Sequence, residues 1–222
     1  MFDGYHITAP HEPTEEWIKE TKQIAWNAHK EMSKRALDIG SEVHRAIHGG
    51  VSDNLSDEAR ACLKGYKEFI AQFFPVKITS ELTIYDPLNK VAGTIDDLSL
   101  SLLDTAKNKT LYIIDWKTSS AIQRNYKIQI TVYKWMLSNF IKLYLKNPAN
   151  YDESTQKILN TIIQACGKKP KIKCILVRLN KKLKARILHE TVEIKAAEEK
   201  AYLAEFKTCL TLKKLRKDSN DY

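Results

Sequence analysis

"LYIIDWKTSS", residues Leu111–Ser120, brings a carboxylate and an ammonium, Asp115 and Lys117, to the end of an apolar run. Leu111-Tyr112-Ile113-Ile114 reads as a buried strand because it is apolar and partly β-branched. Side chains of a strand alternate between its faces, so Asp115 and Lys117 share one face and Trp116 points to the other. Such a pair alone is an ordinary solvated rim with a weak ion pair. Its meaning depends on what the chain places around it.

On the N-terminal side, "VKITSELTIYD" (76–86) and "VAGTIDDLSLSLL" (91–103) also read as strands. The turn candidates Pro87–Lys90 and Asp104–Lys109 are short enough to join all three as an antiparallel meander. From about Thr14 to His48, Trp17, Ile24, Ala28, Met32, Ala36, Ile39, Val43 and Ile47 recur at helical steps, and Gly49-Gly50 ends the run. "SDEARACLKGYKEFIAQFF" (56–74) reads as a second helix, capped at Ser56 and stopped before Pro75. On the C-terminal side, a helix is expected from about Ile122 to Leu145, then the polar loop "KNPANYDEST" and a helix near Gln156–Ala165. Strands near Ile172–Leu179 and Ala185–Ile194 and a helix to about Lys217 complete the order. The fold class is mixed α/β, with a largely antiparallel central sheet flanked by helices. The 222 residues suit one domain, with a helical portion over about 1–75 and the sheet core over about 76–222.

Hydrophobic content of 43% and charged content of 28% describe a soluble globular chain, and no apolar run is long enough for a membrane span. The opening "MFDGYHITAP" lacks the basic-then-apolar form of a signal peptide, so an intracellular setting is expected. Cys62, Cys166, Cys174 and Cys209 are scattered without a CxxC pair, and free thiols are the default. A net charge of +9 suggests a polyanionic partner. Between Gln164 and Arg186 the charged residues are all basic: Lys168, Lys169, Lys171, Lys173, Arg178, Lys181, Lys182, Lys184 and Arg186. This stretch is either a phosphate contact or plain solvated surface. The N-terminal helix instead mixes Glu15, Glu16, Glu20 and Glu31 with Lys19, Lys22, Lys30 and Lys34.

Candidate chemistry accumulates around Asp115. Gly40 stands one helical turn before His44, where backbone or ligand can come close. Asp96 and Asp97 are adjacent in a strand, so one is expected toward the core, in need of a partner, and the other toward water. Gln129 and Tyr133 lie four apart on one helical face. His44, Asp96, Asp115 and Lys117 together supply an imidazole, two carboxylates and an ammonium. That set suits phosphodiester cleavage. Carboxylate oxygens with one imidazole make a site for Mg2+ or Mn2+, and Lys117 can orient the nucleophile or contact the phosphate.

The ordered phrases "GSEVH", "SELTIYD", "GTIDDL", "DWKTS" and "QITVY", spanning Gly40 to Tyr133, resemble the motifs of the PD-(D/E)XK nuclease superfamily, RecB-like branch. Their wording is most similar to that of mitochondrial genome maintenance exonucleases and related phage exonucleases, which cut single-stranded DNA. The resemblance implies that His44, Asp96, Asp115 and the backbone carbonyl of Trp116 are metal ligands and that Asp96, Asp115 and Lys117 are catalytic. Gln129 and Tyr133 match positions that support the site and touch DNA, and Glu81 matches a strand acid without a ligand role. Members with an iron–sulfur cluster carry one cysteine before the histidine and three grouped near the C-terminus, a spacing absent here, so no cluster is expected.

The expectation is a deoxyribonuclease on single-stranded DNA, with Lys168, Lys169, Lys171, Lys173, Lys181 and Lys182 as further DNA contacts. Its setting would be cytoplasmic, bacterial or phage-encoded, rather than mitochondrial. Trp17, Trp26, Trp116 and Trp135 offer stacking surfaces for unpaired bases, although most such rings belong to cores. A structure-specific or restriction-type endonuclease, a catalytically silent nucleic-acid-binding protein and an RNA substrate are the alternatives.

Overall fold

The computed structural model describes residues 14–49, 54–101, 103–105 and 109–218. Thr14 is extended, and its hydroxyl accepts the Trp17 N–H at 3.2 Å, which starts helix α1 (Glu15–Ile47). Only the C-terminal turns of α1 are buried, through Ile39, Val43 and Ile47. Helix α2 (Asp57–Phe73) is capped by Ser56, whose Oγ accepts the Ala59 N–H, and Phe74 at φ 47° ends it before Pro75. Glu42 of α1 accepts both the Ser56 N–H at 2.7 Å and its hydroxyl at 2.6 Å. One carboxylate thereby ties the two helices together.

Five strands form one sheet in the spatial order β1 (Pro75–Asp86), β2 (Val91–Ser101), β3 (Leu111–Lys117), β4 (Ile172–Leu179), β5 (His189–Glu193). Every neighbouring pair is antiparallel except β3 and β4. The parallel pair requires a crossover. Helix α3 (Arg124–Lys146), a 3-10 turn at Pro148–Asn150 and helix α4 (Glu153–Cys166) supply it, and α5 (Ala196–Asp218) follows β5. The protein is thus α/β, with a mixed, mostly antiparallel sheet flanked by helices. No helix among the described residues is long and apolar enough to cross a membrane.

The expected strand over Ala185–Ile194 is shorter, beginning at His189. Asn180 explains the difference. Its N–H donates to Leu188 O at 2.9 Å, its side-chain amide N–H donates to Ile187 O, and its side-chain Oδ1 accepts the Lys182 N–H. These local bonds hold the basic segment in a loop before pairing with β4 begins.

Both faces of β3 and β4 are covered. Leu111, Ile113, Cys174 and Leu176 pack with Ile130, Leu137 and Ile141 of α3 and with Leu159 and Ile162 of α4. On the other face, Ile114, Trp116, Ile175, Val177 and Leu179 meet Ile39 and Val43 of α1 and Ala59, Cys62 and Phe69 of α2. Truncating one of these Leu or Ile residues to Ala would cost about 2–5 kcal/mol. The alternation through β3 puts Asp115 and Lys117 on the α3 side and Trp116 on the α1/α2 side.

Candidate functional site

Strands β2 and β3 pair through Ser99–Tyr112, Leu98–Ile113 and Asp97–Ile114. The next step of that register would set Asp96 against Asp115, and there the ladder stops. A strand residue presents its N–H and C=O to the same neighbour, so beyond the last pair Trp116 needs other partners. Side chains provide them. Asp96 Oδ2 accepts the Trp116 N–H at 2.9 Å, and His44 Nε2 lies 3.2 Å from the Trp116 carbonyl oxygen. His44 Nδ1 is 3.8 Å from Asp96 Oδ2. The end of one ladder therefore gathers His44, Asp96, Asp115 and the Trp116 carbonyl.

Lys117 Nζ is 2.7 Å from Asp115 Oδ2 and donates to Gln129 Oε1 at 3.3 Å. Gln129 Nε2 in turn donates to the Tyr133 hydroxyl at 2.8 Å, and Nζ stands 4.9 Å above the Tyr126 ring. Gln129 and Tyr133, one helical turn apart on α3, thus brace the lysine from behind. Gly93 of β2 makes room for this brace: a Cβ there would lie 2.4 Å from Tyr133 Cε1. The need for glycine at that position is invisible until α3 is laid over β2.

Burial, then the negative charge of Asp115, pushes the Asp96 carboxyl up to about 8. Burial also raises Asp115, against the opposing pull of Lys117. For Lys117, burial disfavours the charged form, but Asp115 and Asp96 outweigh it and raise the ammonium above its ordinary value. Asp115 and Asp96 face one lysine, whose charge balances a single ionised carboxylate, and Asp96 keeps its proton near neutrality. With His44 and the Trp116 carbonyl, the two carboxyl groups form a donor set that fits a hard divalent cation.

Asp97 occupies the other side of the sheet. Its Oδ2 accepts the Trp116 Nε1–H at 2.8 Å, and Lys77 Nζ is 2.9 Å from its Oδ1. The indole is further held edge-on by Tyr66 and Phe69. Asp96 and Asp97 do take opposite directions, but neither meets open water: side-chain exposure is 13% for Asp96 and 2% for Asp97. The gap between β2 and β3 that encloses Asp96 is the reason.

A cleft of about 720 Å³ opens over the site, with His44, Trp116, Lys117, Thr118 and Tyr126 on its walls beside Gly40, Leu37 and Lys181. Gly40 lies close to the sheet end, since a Cβ there would be 3.5 Å from Thr118 Oγ1. The basic stretch is split by the parallel pairing. Leu111 pairs with Ile172 and Lys117 with Arg178, so the segment carrying Lys168, Lys169 and Lys171 lies at the end of the sheet away from Lys117, about 20 Å along the strands. Lys173 and Arg178 are ion-paired with Glu193 and Glu190 of β5. Lys181 reaches the cleft, with Lys182 next to it in the chain.

Sequence reasoning passed over Tyr126, Lys77 and His48. Only His48 carried a visible signal, standing four residues after His44 on the same helix. Cys62 lies in the α1/α2 core and Cys166 and Cys174 in the α3/α4 core, while Cys209 is exposed. Compared with protein-family models and with curated proteins, the chain has no match.

Proposed function

We propose that the chain is a metal-dependent deoxyribonuclease of the PD-(D/E)XK superfamily, RecB-like branch, that degrades single-stranded DNA from an end during replication, recombination or repair. The reading rests on the convergence of His44, Asp96, Asp115, the Trp116 carbonyl and Lys117 at the point where β2 and β3 part. His44, Asp96, Asp115 and the Trp116 carbonyl would hold Mg2+ or Mn2+. Such an ion supplies positive charge for the phosphate and a bound water of lowered pKa. Lys117, fixed between Asp115 and Gln129, keeps its proton and donates to a phosphate oxygen or to the attacking water. Asp115 and Gln129 hold the ammonium in place, and Tyr133 holds Gln129.

A nucleic-acid strand has a surface to follow. At 100° per residue, Leu37, Ser33, Lys30, Trp26, Lys22 and Lys19 fall within about 60° of His44 around α1. Glu20, Glu31, Asp38 and Glu42 fall on the opposite side, while Glu15 lies on the His44 side in the first turn. Trp26 is 66% exposed and Leu37 72%. The track from Lys19 to His44 is about 38 Å long, with a ring for base stacking and lysines for phosphates. Unpaired bases suit this surface because stacking needs an open π-face.

The experiment is cleavage of labelled linear and circular single strands, duplex DNA and RNA with Mg2+, Mn2+ or EDTA. Rapid loss of the linear single strand, with the circle and duplex spared and EDTA protecting everything, is expected. Equal rates on circle and linear strand would replace the end-dependent reading with an endonuclease, and activity in EDTA would remove the metal.

A further inference from the structure

Behind the site just described is a second group of metal donors. His48 follows His44 by one turn at the C-terminal end of α1, and its ring centroid is 6.2 Å from that of His44. Both His48 ring nitrogens are buried without a hydrogen bond among the described residues. Nε2 lies 2.9 Å from Glu81 Oε1, close enough for attraction but outside hydrogen-bond alignment. An imidazole so placed has a lone pair in search of a partner.

Glu81 is set apart by its backbone. It has φ 53°, a left-handed conformation rare for a side-chain-bearing residue inside a strand. It stands between the pairs Ser80–Asp97 and Leu82–Ile95, across from Asp96. Its carboxylate reaches His48 and lines the cleft while its side chain stays 52% exposed. One donor atom each from His44, His48 and Glu81 lies within 4.8 Å of the others.

We propose that His44, His48 and Glu81 form a second metal site, selective for Zn2+, which withdraws His44 from the Asp96/Asp115 centre and thereby inhibits the enzyme. Two imidazoles and one carboxylate favour Zn2+ over Mg2+, and two histidines one helical turn apart with an acid from another element are a zinc-binding arrangement. Bonds of about 2.0–2.1 Å put tetrahedral ligands roughly 3.4 Å apart, so closing the site takes an inward movement of about 1 Å. The partly exposed Glu81 side chain can supply it, and the cleft is the entry path. His44 is the shared element, standing 3.8 Å from Asp96 on one side and among the new donors on the other. The inhibitory consequence, unlike the zinc binding, rests on the nuclease reading.

The test is a Zn2+ titration of chelator-treated full-length protein against a chromophoric chelator, with Co2+ absorption reporting ligand geometry. One Zn2+ per chain and a tetrahedral Co2+ band are expected. Both should persist in Asp96→Asn/Asp115→Asn. Affinity should fall about tenfold or more in Glu81→Gln and His48→Asn, because each removes a ligand. Zinc should also inhibit Mg2+-supported cleavage less in Glu81→Gln than in the parent. Glu81→Gln alters a half-exposed side chain and tests the proposal even if His48→Asn does not fold. Unchanged zinc affinity in Glu81→Gln, or loss of zinc on replacing Asp96 and Asp115, would overturn the site. Zinc binding that follows His48 and Glu81 in a protein without nuclease activity would sink the nuclease reading and leave the zinc site standing.

Discussion

Asp97 Oδ2 accepts the Trp116 indole N–H at 2.8 Å, on the face of β3 opposite Asp115 and Lys117. The bond fixes the residue whose N–H reaches Asp96 and whose carbonyl reaches His44. A bond on the α1/α2 side of the sheet therefore fixes the backbone that Asp96 and His44 both contact.

Asp97→Ala leaves the indole N–H and the Lys77 ammonium without their acceptor, and the expected cost is about 1–3 kcal/mol or more. Urea unfolding measures it. Mn2+ affinity, read by calorimetry, should fall at a temperature where the variant is fully folded, because the Trp116 carbonyl loses its anchor. Asp97→Asn keeps an acceptor and should recover most of both quantities. Equal metal affinity in Asp97→Ala and the parent would separate Asp97 from the site.

Lys117→Ala and Asp115→Asn should each lower turnover by roughly two or more orders of magnitude while far-UV circular dichroism stays unchanged, because their contribution is made in the transition state. Gln129→Ala should cost less, since it braces Lys117 and leaves the ammonium in place. Near-parental single-turnover rates in Lys117→Ala would move the chemistry elsewhere.

The raised carboxyl of Asp96 has a consequence for stability. A folded-state value of about 8 against an ordinary 3.8 means that the metal-free native state holds a proton the unfolded chain has released. Stability from this group is complete below pH 4 and is lost as pH rises toward about 8. Asp115, raised in the same direction, adds to the slope. Metal-free protein should therefore lose melting temperature between pH 5 and about 8, and Asp96→Asn should flatten the curve. Mn2+ requires the ionised form, so its stabilising effect should grow over the same interval, reaching about 2.7 kcal/mol at a hundredfold excess over Kd. Calorimetric scans with and without Mn2+ check both slopes.

Substitution of Trp26 by Ala should weaken single-stranded DNA binding by about 1–3 kcal/mol, the scale of one stacked base. Replacing Lys22 and Lys30 together should lower the salt slope by about 0.7 for each phosphate that the two lysines neutralise. Lys181→Ala with Lys182→Ala should act more strongly than Lys168→Ala with Lys169→Ala, because only the first pair lies at the cleft end of the sheet. Fluorescence anisotropy across a salt series resolves these effects, and equal weakening by both lysine pairs would return the basic stretch to general surface charge.

The sequence by itself determined most of the elements and the facing of Asp115 and Lys117. Apolar spacing and the caps at Thr14 and Ser56 place α1 and α2, and the two-residue period of a strand commits Asp115 and Lys117 to one side of β3. These are local properties, set by bonds and side chains within a few residues. The tertiary structure decided which distant groups meet. The end of the β2–β3 ladder exposes the Trp116 backbone to Asp96 and His44, and the crossover makes β4 parallel to β3. That direction carries Lys168 and Lys181 to opposite ends of the sheet, and the β4–β5 register sets Glu190 opposite Arg178 and brings Glu193 within reach of Lys173. Nothing local in "GSEVHRAIH" places Glu81 beside His48, or in "VAGTIDD" requires Gly93 beneath Tyr133. Register, crossover direction and the point where two strands part depend on packing across the whole sheet, so residues remote in the chain become neighbours only when that packing is complete.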